Sequence, residues 1–321
     1  MLGGTLALAL LAPLGGDAAA APVATKAAKL KLITDSSLTL STPNKAARAV
    51  ALCPGQLKPY GGAMSADPDP DREGEGVYPH SYERLGQQSG FHSTPGLFDP
   101  SPSETRDYRV TLQVLCGRKP GKIADPHDIA LAVPPGTSVT LVTNCPKKSV
   151  LIGGGFQRAL FELNGGVYPT ESHAISKTKW QASGTAFGAF STDMVAIGYC
   201  MASPKRKPLL TQVSSSVTIP PNQVGFTTTS PCSSNRRIVW NGFDTNPKQS
   251  LFFADGIFNG DNTFTASAYN KSNAPATLTA YGYCLKEKVI GGSLKKFSKK
   301  IGRLDSNEST NKQDQDGDPN G

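Results

Sequence analysis

Six cysteines hold most of the reactive chemistry available to this chain, and their spacing narrows what that chemistry is. Thiolates bind metals, attack carbonyls or join as disulfides, and the first two uses usually gather cysteines into short Cys-x-x-Cys turns or beside a histidine. Here Cys53, Cys116, Cys145, Cys200, Cys232 and Cys284 are widely separated and no such turn occurs. Taken as Cys53/Cys116, Cys145/Cys200 and Cys232/Cys284, they bracket three related stretches of sequence. Disulfides are therefore expected, with pairing inside each stretch favoured among about fifteen possible connectivities. Disulfides persist in oxidising compartments, which points to an exported protein.

Other reactive groups are sparser. His80, His92, His127 and His173 fall at non-equivalent places and imply no metal site. Asp67, Asp69, Asp71, Glu73 and Glu75 alternate along one segment, but Arg72 stands where a calcium loop needs glycine and Tyr78 where it needs its bidentate acid. That run reads as a solvated loop stiffened by Pro68 and Pro70. No nucleophile elbow, phosphate loop or zinc-protease helix is present. Members of Asp67 to Glu75, or Glu171, are the acids a hydrolase would have to use. Trp180, Tyr199, Trp240, Tyr281 and Tyr283 are candidate platforms for a sugar ring, with core packing the competing reading. No cofactor is implied.

The elements that position these groups repeat three times. A proline precedes each first cysteine by ten or eleven residues (Pro43, Pro135, Pro221), and a bulky apolar residue follows it by eleven (Met64, Phe156, Phe243). The second stretch is the clearest: Cys145-Pro146, Gly153-Gly154-Gly155-Phe156, Gly166-Val167-Tyr168-Pro169, Trp180, then a closing run into Tyr199-Cys200. The first keeps Gly61-Gly62 and Gly76-Val77-Tyr78-Pro79, then departs, with an insertion around residues 86–102 and no equivalent tryptophan. The glycine runs suit a turn or bulge rather than a ligand loop. Short runs rich in β-branched and aromatic residues, cut by Gly and Pro, are strand signals. An all-β fold of three related antiparallel units is expected, either a pseudo-three-fold β-prism-like body or tandem small sandwiches.

Only 38% of residues are hydrophobic, with 33 glycines and 25 prolines, which suits short strands and tight turns. The expected division is a signal peptide over residues 1–20, a leader over 21–39, units over 40–124, 125–208 and 209–286, a basic amphipathic segment over 287–304 and a disordered tail over 305–321. The net charge is +8. Lys295, Lys296, Lys299 and Lys300 interleave with Leu294, Phe297, Ile301 and Leu304, a pattern suited to anionic surfaces. No stretch is apolar enough for a transmembrane segment, and nucleic acid is not the expected partner of an exported chain.

At Cys145-Pro146, Gly153-Gly154-Gly155-Phe156, Trp180 and Tyr199-Cys200, the chain resembles uncharacterised exported proteins of high-GC Gram-positive bacteria. In outline it is also similar to the β-prism of vitelline membrane outer layer proteins. Neither resemblance implies an activity or site residue. The leading expectation is a secreted or cell-wall-associated, non-catalytic binding or structural module, with envelope glycan as the candidate partner. The rival readings are an extracellular hydrolase and an interaction protein docking on anionic polymers or membrane through its basic C-terminal segment.

Overall fold

Runs of valine, threonine and aromatic residues between glycines and prolines form strands throughout the computed structural model, with no helix among the described residues. Those residues are 30–40, 48–67, 76–85, 90–98, 107–118, 123–158, 165–188, 191–203 and 209–286. The expected signal peptide, the basic segment with Lys295, Lys296, Lys299 and Lys300, the tail, and residues 68–75 of the acidic run lie outside them.

The first unit comprises β1 (Lys31–Leu40), β2 (Ala49–Leu52), β3 (Lys58–Asp67), β4 (Gly76–Leu85), β5 (Gly90–Phe98) and β6 (Tyr108–Gly117). A short β7 (Ile123–Ala124) precedes the second: β8 (His127–Val133), β9 (Ser138–Asn144), β10 (Ser149–Arg158), β11 (Gly165–Ser176), β12 (Lys179–Gly188) and β13 (Thr192–Ala202). The third is β14 (Leu210–Ile219), β15 (Val224–Thr228), β16 (Arg236–Asn246), β17 (Leu251–Phe258), β18 (Phe264–Asn270) and β19 (Ala276–Lys286).

The same antiparallel pairings recur in each unit. The first and third strands flank the sixth, and the second and fourth flank the fifth. Units then share sheets, because β4 pairs with β10 and β11 with β16. β17 lies alongside β3, with no ladder between them among the described residues, and this returns the chain to its first unit. Every face thus draws its strands from two successive units. Tandem sandwiches would each keep their own sheets, so the body is the closed, pseudo-three-fold alternative.

All three disulfides form inside units, as Cys53–Cys116, Cys145–Cys200 and Cys232–Cys284, with Cα separations of 5.5, 5.6 and 5.8 Å. Each joins the end of a second strand to a sixth strand, and those two strands belong to different faces. One bond therefore clamps each corner of the three-sided body.

β1 lies largely within the segment expected as leader, where strand character is legible around Leu30 to Thr34, and it pairs with β6. Pro43, Pro135 and Pro221 follow the first strand of their units and do not open the repeat.

Three-fold packing explains the glycines. Gly61, Gly153 and Trp240 occupy equivalent positions, each just after a register shift in its strand, and they converge. A Cβ on Gly153 would lie 2.3 Å from Trp240 Cδ2, and one on Gly61 2.7 Å from Trp240 Cε3. Three large side chains cannot meet at one axis, so one indole fills the space that two glycines leave open. The indole N–H donates to the Gly154 carbonyl. Next in each strand, Gly62 lies under Phe91 and Gly154 under Trp180. Phe91, fully buried, therefore holds in unit one the place of Trp180 and Phe264, an equivalent that the departure in sequence concealed.

One further layer closes the seams. The backbone N–H of Arg84 donates to the Tyr199 hydroxyl and that of Ala174 to the Tyr283 hydroxyl, both at 2.7 Å. Each tyrosine immediately precedes its closing cysteine, but unit one has Leu115 there. The equivalent N–H, of Phe258, turns instead to the Gln113 side-chain oxygen at 2.7 Å, and the Gln113 amide donates back to the Phe258 carbonyl at 3.3 Å. Gln113 thereby ties the face whose two halves have no ladder between them among the described residues.

Candidate functional site

The β11–β16 seam places side chains from two units directly opposite one another, and the central pair is acidic. Glu171 faces Asp244 across the seam. Register extends this pair into a row on the outer side of the six-stranded sheet: Thr140, Ser183, Glu171, Asp244, Thr279 and Ser216. Intervening residues such as Leu141, Ala182, Phe243 and Ala280 point inward and are buried. Strand alternation therefore sorts the two sets.

Hydrogen bonds run along the row. Thr140 and Ser183 hydroxyls lie 2.7 Å apart, Ser183 donates to Glu171 Oε1 at 2.9 Å, and Ser216 and Thr279 hydroxyls lie 2.8 Å apart. Gln181 Nε2 also donates to Glu171 Oε1. The turn after β16 folds back over the seam, so that Lys248 Nζ contacts both Glu171 Oε2 and Asp244 Oδ1. Glu171 is 1% exposed. A buried carboxylate needs such partners, since desolvation penalises its charge. Burial raises the Asp244 carboxyl and lowers the Lys248 ammonium from their ordinary values, and their mutual contact opposes both shifts.

The adjacent row adds rings. Gly242 separates His173 on β11 from Tyr281 on β19 and contributes no side chain, so the two rings meet above it, with centroids 4.9 Å apart and planes 19° apart. Burial and the Asp244 charge raise the Tyr281 phenol. The face thus combines a partly buried ring pair with carboxylate, ammonium, amide and hydroxyl groups.

Ligand atoms of Glu171, His173 and Asp244 lie within 4.8 Å of one another, near enough to share a cation. Lys248 supplies that cation here, and His173 Nε2 stands 4.0 Å from Glu171 Oε2. Both carboxylates share one ammonium, an arrangement that closes a seam and differs from an acid and a base poised on opposite sides of a bond.

The candidate platform divides sharply. Trp180, Tyr199, Trp240 and Tyr283 are each at most 2% exposed, too little for a sugar ring to stack on any of them. This corrects the reading of those four as ligand platforms: burying their large apolar area is what holds the units together. Of the five, Tyr281 alone is partly exposed. Of the acids proposed for a hydrolase, Glu171 lies in the seam and Asp67 is exposed at the end of β3. His92 pairs with Glu83 at 2.9 Å in unit one, and His127 is exposed at the start of β8. Asp244 and Lys248 escaped sequence reasoning; their four-residue spacing was the available signal, and its meaning depended on which units share a sheet.

Burial lowers the His173 pKa from 6.5. Below about pH 6.5 the unfolded chain takes up a proton that the folded site resists, so this residue removes stability as pH falls towards its folded value. His173→Gln is expected to flatten the dependence of the urea midpoint on pH between about 7 and 5.5. Identical slopes for parent and variant would show that the ring is not held neutral by its surroundings. No protein-family model matches the chain, and no curated protein matches it.

Proposed function

We propose that this chain is an exported, non-catalytic binding module that holds a glycan on the outer face of its central six-stranded sheet. The Tyr281–His173 ring pair beside Asp244, Gln181 and the Thr279–Ser216 hydroxyls carries this reading. A sugar presents an apolar C–H face and a rim of hydroxyls. It is held by an aromatic surface flanked by groups that both accept and donate. Three disulfides support an oxidising compartment, and no helix among the described residues is long and apolar enough to cross a membrane.

The test is retention of the mature protein on cell-wall and glycan fractions, comparing the parent with Tyr281→Ala and Asp244→Asn. Both positions are partly exposed, so the fold is expected to survive, which circular dichroism checks. Retention should be displaced by free sugar, be indifferent to salt, and fall at least about tenfold in Tyr281→Ala. Retention that ignores both substitutions, or that salt alone releases, would assign binding to another surface and favour docking through the basic C-terminal segment.

A further inference from the structure

We infer that a cavity at the end of β11, β14 and β19 binds the apolar chain of a free, single-chain anionic amphiphile of the fatty-acid type. The cavity measures about 250 Å³, and its walls include Leu151, Ala174, Ile175, Leu209, Leu210 and Tyr283. It draws on two units, because Leu151 comes from β10 and Ile175 from β11, whereas Leu210 opens β14 and Tyr283 lies in β19. Ile175 stays 43% exposed at its margin although it is a large apolar residue. An apolar recess edged by few polar groups is the common form of a small-molecule site, and those for drug-sized ligands span roughly 300–1,000 Å³. This smaller volume suits one alkyl chain and is too small for a two-chain lipid.

The polar edge selects the headgroup. Lys177 is part of the wall, with Ser176 and Gln212 beside it, and no carboxylate is among the residues described around the cavity. The Arg236 guanidinium donates to the carbonyls of Leu209 at 3.3 Å and Cys284 at 3.1 Å, which places a second fixed cation against the Leu209 wall. Lys286 pairs in register with Arg236. An apolar recess with cations at its edge fits a carboxylate or similar anion on an alkyl chain, because each end meets its complement. This inference does not rest on the glycan reading. It uses residues beyond the Tyr281–His173 pair, and either site can fail alone.

Calorimetric titration of the disulfide-intact full chain with hexanoate, octanoate and decanoate, below their aggregation limits, tests the assignment. Saturable one-to-one binding is expected, tightening about three- to fourfold per added methylene. Decyltrimethylammonium should bind at least tenfold more weakly than decanoate. Ile175→Glu, at an exposed position that leaves the fold intact, should abolish decanoate binding, and Lys177→Glu should weaken decanoate at least fivefold while leaving decanol unchanged. Tyr281→Ala should not alter decanoate affinity, whatever it does to glycan retention. The inference is overturned by an absence of saturable binding, by equal affinity for the cationic amphiphile, or by insensitivity to Ile175→Glu. It is also overturned if binding appears only after truncation at Lys286, for then the chain's own C-terminal segment is the occupant.

Discussion

Reduction of the three disulfides is expected to unfold this protein at room temperature. The bonds close loops of 63, 55 and 52 residues, for which chain entropy gives about 4 kcal/mol each. Together that is about 12 kcal/mol, in the upper part of the roughly 5–15 kcal/mol by which folded domains are stable. The corners should not be equal. Among the described residues, the face shared by units three and one has no ladder between β17 and β3, and side-chain bonds such as those between Gln113 and Phe258 join its halves. Its two halves are clamped outward by Cys53–Cys116 and Cys232–Cys284. Replacing either of these pairs with serines should therefore lower the melting temperature more than replacing Cys145–Cys200, whose two faces each have a hydrogen-bonded seam. Thermal unfolding with and without reductant measures both effects. A reduced chain that still melts cooperatively within a few degrees of the oxidised one would sink the idea that the corners need covalent closure.

Trp240→Ala is expected to cost about 3–5 kcal/mol, the range for emptying a large aromatic site in a core. The reason is local: Trp240 is 2% exposed and fills the axial space that Gly61 and Gly153 leave. Its ring also packs against Tyr199, with centroids 4.8 Å apart, and against Phe91 at 6.4 Å, so the loss is felt in all three units. Gly153→Ala should destabilise by about 1–3 kcal/mol through overpacking, since its new methyl group would sit 2.3 Å from the indole. The two effects are coupled. In a Trp240→Phe background the methyl group meets a smaller ring, and Gly153→Ala should cost measurably less than in the parent. Strict additivity in that double-mutant cycle, read from urea unfolding, would mean that the axis is not the shared resource described above.

Much of this architecture is legible in sequence because it is written three times. Cysteine spacing and the flanking proline and bulky apolar positions recur in all three units, and Gly-Val-Tyr-Pro in two, so strand content and within-unit disulfides follow from comparing copies. What stays hidden is whatever differs between copies or lies between them. Phe91 does the work of Trp180 with a smaller ring, and Gln113 does the work of a tyrosine from two residues away. Trp240 looks like one more strand aromatic until Gly61 and Gly153 are placed around it. Glu171 and Asp244 belong to different units, and they meet only because β11 pairs with β16. β1 lacks the punctuation that marks the other strands, so its hydroxyl-rich sequence reads as a flank.

Sheet sharing gives the molecule a cyclic form. Each unit offers one half-sheet to its successor and accepts another from its predecessor, a head-to-tail contact whose rotation closes after three steps. The polypeptide thus has the rotational closure of a cyclic trimer within one covalent string. A single chain lets each seam carry its own chemistry: one holds an acidic pair under a lysine, whereas Ser81 and Asp255 occupy the corresponding strands of the other two.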